Sequence, residues 1–262
     1  VCSIDAVLRA ASGCDVVFHV AAKAGIWGAS AEFRRINVDG TQTVLDACRQ
    51  LGIRRLVYTS SPSVVFDGRD MAGADESAPY PSHYEADYPA TKAEAERLVL
   101  AANGPELATV ALRPHLIWGP GDTQLTPRIL ARARAGTLWR VGGRNNLVDH
   151  AYVDDAAAAH LLAADRLAPG SPVAGKVYFI TQGQPIPLWS LVDRILAAGG
   201  LSPLQRSIPA WAAYFAGWIL ETWHRLFCID AEPRMTRFLA RELATSHWFS
   251  IDAARRDLGY AP

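Results

Sequence analysis

Three lysines, two methionines and four cysteines are all that the 262 residues hold of those types. The cysteines, Cys2, Cys14, Cys48 and Cys228, are scattered with no Cys-x-x-Cys spacing. That excludes a disulfide framework and a zinc knuckle, and it fits a reducing, cytoplasmic compartment. The seven histidines include no pair at helical ligand spacing, so no metal is expected. Charge of either sign is not in excess, with 26 basic and 26 acidic side chains, which removes the electrostatic case for nucleic acid. No internal repeat, low-complexity tract or signal-peptide pattern is present. The chain opens on Val1 rather than Met and stops abruptly at Tyr260-Ala261-Pro262, the pattern expected of a fragment cut at both ends.

Long apolar runs are also missing. The stretch Ile208 to Leu220 carries no charge but has only thirteen residues, fewer than the roughly 20 that span a bilayer. With Trp211, Tyr214, Phe215 and Trp218 in it, two readings stay open for 208–227. It is a core or pocket-lid helix, or an interfacial helix touching a membrane or a partner enzyme. Either one places a greasy surface near an apolar substrate.

Against this background one decapeptide stands out, Asp87-Tyr88-Pro89-Ala90-Thr91-Lys92-Ala93-Glu94-Ala95-Glu96. It opens a helix, and residues four apart on a helix share a face. The Tyr88 phenol and the Lys92 ammonium can therefore reach one small volume. A nearby cation lowers a phenol from its usual pKa of about 10, giving a group that can donate or accept a proton near neutral pH. With eight Tyr and three Lys, composition alone gives such a pair about 0.1 times per chain, so a surface tyrosine beside a solvated lysine is the bland alternative.

Strand–helix alternation indicates an α/β fold with a parallel sheet and helices on both faces. Strands are expected at Asp15–Val20, Arg54–Thr59, Ala108–Arg113, Leu147–Val153 and Lys176–Ile180. Helices are expected over Ile4–Ser12, Glu32–Leu51, Tyr88–Asn103, Thr126–Ala135 and Leu188–Ala198. Asp154 or Asp155 should cap another that runs to Leu167. Phe66 to Tyr84 reads as a long functional loop, and Pro233 to Leu258 as two amphipathic helices around Ser246-His247-Trp248-Phe249. The serine-rich segment Tyr58-Thr59-Ser60-Ser61-Pro62-Ser63 leaves a strand at its carboxyl end, where ligands of open α/β sheets bind. Ser61 is the favoured hydroxyl there, ahead of Ser60 and Ser63. His115 and His150 can approach the same region, but a satisfied structural histidine is the favoured role for each.

Several motifs together resemble the extended short-chain dehydrogenase/reductase superfamily, in its 3β-hydroxysteroid dehydrogenase-like branch. They are His19-Val20-Ala21-Ala22, Asn37-Val38-x-Gly40-Thr41, Tyr58-Thr59-Ser60-Ser61, Tyr88-Pro89-x-x-Lys92, Leu112-Arg113-Pro114-x-x-Ile117-Trp118-Gly119-Pro120-Gly121-Asp122 and Tyr152-Val153-Asp154-Asp155. Ala22 to Gly28, Ser61 to Gly68 and Ala244 to Phe249 are similar to a bacterial subgroup that reduces 2-alkyl-3-oxo acids in olefin biosynthesis. The resemblance implies a Rossmann-like doubly wound sheet followed by a smaller, mostly helical substrate-binding region. It places the dinucleotide-binding part at 1–118, with 147–181 returning to it, and the substrate part at 119–146 and 182–262.

The same resemblance implies roles. Tyr88 is the general acid, Lys92 lowers its pKa and holds the nicotinamide ribose, and Ser61 binds the carbonyl oxygen. Asn37 supports the site. Ala21, Ala22, Pro114, His115 and Ile117 line an NADP or NAD cofactor, NADPH being favoured. One piece of the family pattern is absent: there is no strand–Gly-x-x-Gly-x-x-Gly–helix turn to seat a pyrophosphate. The first βαβ unit is thus expected to be missing, and with it much of the dinucleotide affinity.

The implied activity is reduction of a bulky apolar 3-oxo acid, with no nucleic-acid partner and room for a homodimer. A 3β-hydroxysteroid or sterol-carboxylate dehydrogenase uses the same triad in reverse. A sugar-nucleotide epimerase shares the motifs; Arg128 and Arg144 keep it in play, while the Trp-rich second half argues against it. A non-catalytic dinucleotide sensor is the reading of another class, disfavoured because the tyrosine, the lysine and the serine strand all stand.

Overall fold

The computed structural model describes every residue except position 144, so Arg144 lies outside the described residues. Four parallel strands form the central sheet in the order β1 (Val17–His19), β2 (Arg55–Thr59), β3 (Ala108–Pro114), β4 (Val177–Ile180). The register sets Phe18 beside Val57, Val57 beside Val110 and Leu112 beside Tyr178. β3 is buried along its whole length. That is why its sequence is almost continuously apolar instead of alternating.

Helices cover both faces. Gly40–Leu51 and Asp87–Ala101 lie on one, where Val44, Leu45, Cys48, Ala95 and Val99 close over Leu56 and Tyr58. Val153–Arg166 lies on the other, with Ala159 and Ala163 against Val57, Val110 and Leu112. The last residues, Ile251 to Tyr260, return to this second face. The sheet is therefore wound on both sides, and the carboxyl ends of β1, β2 and β3 open in one direction.

Several expected elements differ in detail. The helix expected over Glu32–Leu51 is broken into Ser30–Phe33, a wider π-helical stretch Arg34–Asp39, and Gly40–Leu51. The extra width turns Asn37 inward, where it is buried. Neither Asp154 nor Asp155 caps its helix: the helix begins at Val153 after Tyr152, and both acids sit in the first turn, facing the positive end of the helix dipole. The strand expected over Leu147–Val153 is two short ones, Leu147–Val148 and Ala151–Tyr152, in different sheets. Part of the expected loop after Phe66 is a strand, Met71–Ala74. It pairs in parallel with His247–Phe249, which also meets Leu147–Val148. Phe249 of that strand stacks on Phe179 of β4 at 4.3 Å between centroids. The second amphipathic helix expected before Leu258 is a single π-helical turn, Ala254–Leu258.

A second core joins Thr126–Arg134, Leu188–Ala198, Ala210–Leu226 and Arg237–Ala244 around Leu188, Leu191, Val192, Leu196, Ala213 and Ala240. One helix, Ala210–Leu226, has a packed face and an outward face. Ala213, Gly217 and Glu221, spaced by four, are buried against Arg237–Ala244. Trp211, Phe215, Trp218 and Trp223 face outward and are about half exposed or more. Among the described residues no helix is long and apolar enough to cross a membrane.

Candidate active site

β2 ends at Thr59, and the chain then turns into a short 3-10 segment, Pro62–Val65. Ser61 caps that segment: its Oγ accepts from Ser63 N at 3.3 Å and lies 2.9 Å from Ser63 Oγ. The cap fixes the hydroxyl at the carboxyl end of the sheet. Ser60, one residue earlier, is buried, and its Oγ has no partner among the described residues.

The helix Asp87–Ala101 brings Tyr88 and Lys92 to the same end. Pro89 near its start suits a position whose amide has no helical acceptor. Two pins hold the helix. Glu96, one turn beyond Lys92, meets Arg113 of β3 in a bidentate pair, Nε–Oε2 3.0 Å and Nη2–Oε1 2.6 Å, with both side chains almost fully buried. Tyr80 Oη donates to the same carboxylate at 2.6 Å. At the other pin, Asn37 Nδ2 donates to Thr91 Oγ1 (3.0 Å) and to Lys23 O (3.2 Å), while Asn37 Oδ1 accepts from Lys23 N (2.7 Å). Asn37 thereby ties the segment after β1 to the Tyr88 helix.

The electrostatics differ from the sequence expectation. Lys92 Nζ donates to Thr59 O at 2.6 Å and sits 4.2 Å from the Tyr58 ring centroid. Burial pulls its pKa down to about 7, against a smaller upward pull from Glu96. The Tyr88 phenol is pushed up by burial, with Ser61 pulling it back and the charge of Glu242 adding to the rise. Burial outweighs every downward pull on the phenol, so its shift runs opposite to the sequence expectation.

Ala21 is exposed and Ala22 half-buried just past β1, with Val20 also exposed, so backbone is open there. Pro114 ends β3 and Ile117 begins a two-residue strand with Trp118. Between them Leu116 holds a φ of 40°, a left-handed conformation that a bulky residue adopts only where its surroundings force it. His115 does not face outward. Its Nδ1 bonds Asp149 Oδ1 at 2.6 Å, its Nε2 lies 3.1 Å from His247 Nδ1, and His247 Nε2 lies 3.0 Å from Glu242 O. A carbonyl only accepts, so His247 Nε2 carries a proton. Burial lowers His247 to about 3, which keeps it neutral and makes its Nδ1 an acceptor. Both nitrogens of His115 are thus engaged, and neither is left for a ligand. His150 accepts from Trp118 Nε1 at 2.9 Å.

An apolar cavity of about 260 Å³ lies beside this cluster. Leu116, Trp189, Val192, Leu239 and Leu243 are among its greasy walls, and Gln124, Arg128, Arg132, Glu242 and His247 are its polar members. Glu242 lines this cavity, and its charge adds to the upward push on the Tyr88 phenol. A larger, more polar hollow of about 460 Å³ runs past Trp27, Asp87 and Arg237 but includes none of Ser61, Tyr88 or Lys92. Sequence reasoning missed Glu242, Asp149, His247 and Leu116. Asp149–His115–His247 spans 132 residues between its histidines, a distance at which no local spacing reports contact.

The model of the 3-beta hydroxysteroid dehydrogenase/isomerase family matches residues 1–209. The chain is 52% identical over 261 residues to a 2-alkyl-3-oxoalkanoate reductase of Stenotrophomonas maltophilia, covering 98% of this chain and 79% of that protein. A protein of the same name from Shewanella oneidensis is 47% identical, over 98% of this chain and 68% of its own. The human sterol-4-alpha-carboxylate 3-dehydrogenase, decarboxylating, is 35% identical, over 100% of this chain and 71% of its own. Among solved structures, that of gox2253 superposes with a TM-score of 0.75 at 28% identity, covering 99% of this chain and 77% of the other. A UDP-glucuronic acid 4-epimerase from Bacillus cereus in complex with NAD gives a TM-score of 0.69 at 20% identity, over 99% and 72%, which speaks for the fold alone.

Proposed function

The chain belongs to the 3-beta hydroxysteroid dehydrogenase/isomerase family of NAD(P)-dependent oxidoreductases acting on CH–OH and C=O groups, and from that premise we propose that it reduces the ketone of a 2-alkyl-3-oxoalkanoate to the secondary alcohol. The observation that carries the substrate reading is the apolar cavity lined by Leu116 and His247, whose walls suit alkyl chains better than a sugar diphosphate.

In this reading the Ser61 hydroxyl holds the carbonyl oxygen and Tyr88 gives it a proton. Lys92 has three donors and uses one on Thr59, so two remain for the hydroxyls of a nicotinamide ribose. The residues here thus fit the nicotinamide end of a dinucleotide, with Ala21, Ala22, Pro114 and Ile117 as its lining. When bound, that group supplies the hydride; NADPH is the donor proposed. His115 is withdrawn from the lining because both its nitrogens are engaged. Asn37 acts by holding the segment after β1 against the helix. The free cysteines fit a cytosolic setting. The outward aromatic face of 210–226 is the surface we propose for contact outside the chain.

A second reading, oxidation of a 3β-hydroxysteroid or sterol-4-carboxylate, is favoured by the 35% identity to the human enzyme. Parallel assays separate the two: oxidation of NADPH and NADH with a 2-alkyl-3-oxo fatty acid, and reduction of the oxidised dinucleotides with a 3β-hydroxysteroid. Turnover of the oxo acid alone is the expected result; turnover of the steroid alone overturns it. Tyr88→Phe should reduce turnover by at least a hundredfold while leaving the fold intact, and unchanged activity would reject the proton-donor role.

A further inference from the structure

The apolar cavity carries two cations that the proposed reduction leaves unused. Arg128 and Arg132 stand four residues apart on the helix Thr126–Arg134, so they share one of its faces, and both line the cavity. Both donate through Nη2 to the same atom, Oε1 of Glu232, Arg132 at 3.2 Å. A guanidinium has five N–H groups, and these single bonds are the only ones either side chain makes among the described residues. Glu232 comes from the segment between the helices Ala210–Leu226 and Arg237–Ala244 and is not itself part of the cavity wall.

Charge does not balance there. Two cations face one carboxylate, and burial and the Arg128 charge both act against the Arg132 cation, with Glu232 offsetting part of this. The cavity's own acid, Glu242, forms no hydrogen bond or ion pair with either arginine, and His247 has both nitrogens engaged elsewhere. The side chains of Arg128, Arg132 and Glu232 are 39%, 29% and 28% exposed, and an ion pair so open to water contributes little to stability. As a clamp the cluster is weak. As a seat for a carboxylate it is well made: guanidinium forks match the two oxygens of a carboxylate, and Glu232 offers them only one. Beside these forks the walls are greasy, which is the pattern of a head group with alkyl tails.

We propose that Arg128 and Arg132 seat the carboxylate of the substrate, an alkyl-branched acid whose chains lie along Leu116, Trp189, Val192 and Leu243, and that Glu232 is the internal carboxylate it displaces. The inference rests on the reading that this cavity receives the substrate. No bond is made or broken: one carboxylate replaces another, Glu232 turns into water, and the arginines keep their charge. A 2-alkyl-3-oxoalkanoate and a sterol-4-carboxylate both carry such a group. A 3β-hydroxysteroid without it leaves the seat to Glu232, so the two arginines select for acids among apolar ketones and alcohols.

The test measures binding by calorimetry of a 2-alkyl alkanoic acid that lacks the ketone, set against the primary alcohol of the same carbon skeleton. The parent chain should bind the acid about tenfold more tightly or better, the effect of one charge-assisted hydrogen bond. Arg128→Gln and Arg132→Gln should each remove that preference and leave affinity for the alcohol within about twofold. Glu232→Gln separates a seat from a clamp: freeing the forks should tighten acid binding, whereas losing a clamp should loosen it. In turnover, Arg132→Gln should raise KM for a 2-alkyl-3-oxo acid more than it lowers kcat. Equal binding of acid and alcohol by the parent chain would overturn the proposal. So would weaker acid binding in Glu232→Gln, or arginine variants that lose acid and alcohol alike. If the acid binds in the expected pattern but no 2-alkyl-3-oxo acid is reduced, the seat stands and the reading of function fails; if Arg132→Gln reduces the oxo acid with the parental KM, the seat fails alone.

Discussion

Lys92 is a residue whose chemistry and stability pull in opposite directions. Its ammonium is almost fully buried and burial lowers its pKa from 10.5 to about 7. The folded state thus holds that proton less tightly than the unfolded state does. Between about pH 10.5 and 7 the unfolded chain binds more protons, so stability falls as pH drops through that window and stays reduced below it. The Thr59 carbonyl and the Tyr58 ring offset only part of the cost. Lys92→Met should therefore end turnover while leaving the melting temperature at pH 7.5 equal or higher by a few degrees, with a flatter profile toward pH 10. Calorimetry checks it, and a clear drop in melting temperature would mean that the two contacts outweigh desolvation. Tyr88 and Lys92 were legible in the sequence because the helical repeat places residues four apart on one face, and Ser61 because a strand end marks a binding edge. The direction of the Tyr88 shift was not legible. Spacing puts the lysine near the phenol but says nothing of the burial that raises it.

At the scale of elements, the crossing of Ala210–Leu226 with Arg237–Ala244 decides the shape of the cavity, because the second helix carries Leu239, Glu242 and Leu243. The crossing is close because Gly217 has no side chain: a Cβ there would lie 2.6 Å from Thr236 C and 2.7 Å from Arg237 N, backbone atoms that cannot move aside alone. The start of the second helix is locked at the same point. Thr236 Oγ1 accepts from Leu239 N at 3.1 Å, and Glu221, one turn after Gly217, accepts from Arg237 N at 2.6 Å and Arg237 Nε at 2.8 Å. Gly217→Ala must push the helices apart. It should cost about 1–3 kcal/mol, as overpacking does, and raise KM for a bulky ketone more than it lowers kcat. Urea midpoints and steady-state kinetics check this; a variant as stable as the parent would show that the helices slide freely. The charge-free run was visible from 208 onward, but not its division into a packed and an outward face. Nor was Met71–Ala74 visible as a strand, since its partner His247–Phe249 lies about 175 residues away and strand pairing at that distance leaves no local pattern.

Across the whole molecule, two histidines far apart in the chain make the fold sensitive to acid. His19 ends β1 and shares a hydrogen bond with Thr41 at 2.8 Å; His247 sits in the chain that runs through His115 to Asp149. Both are almost fully buried, and burial lowers His19 to about 4 and His247 to about 3. In the unfolded chain each titrates near 6.5. Above that pH both states are neutral at these sites and stability is complete. As pH falls from 6.5 toward 4 and then 3, the unfolded chain takes up protons that the folded chain refuses, and stability declines. Each unit of difference is worth about 1.4 kcal/mol, so the two together remove several kcal/mol, a large part of the 5–15 kcal/mol usual for a domain. The urea midpoint should fall steeply between pH 6.5 and 4. His19→Gln should flatten the upper part of that fall, and His247→Gln should extend the flattening to lower pH, each at some loss of stability at pH 7. The two sites lie in different layers, one at the first strand of the parallel sheet and one where the second sheet meets the cavity, so their effects should add. A midpoint constant from pH 6.5 to 4 would mean that water reaches these rings in the folded chain, and that the layer joining β1 to the cavity wall is looser than its hydrogen bonds imply.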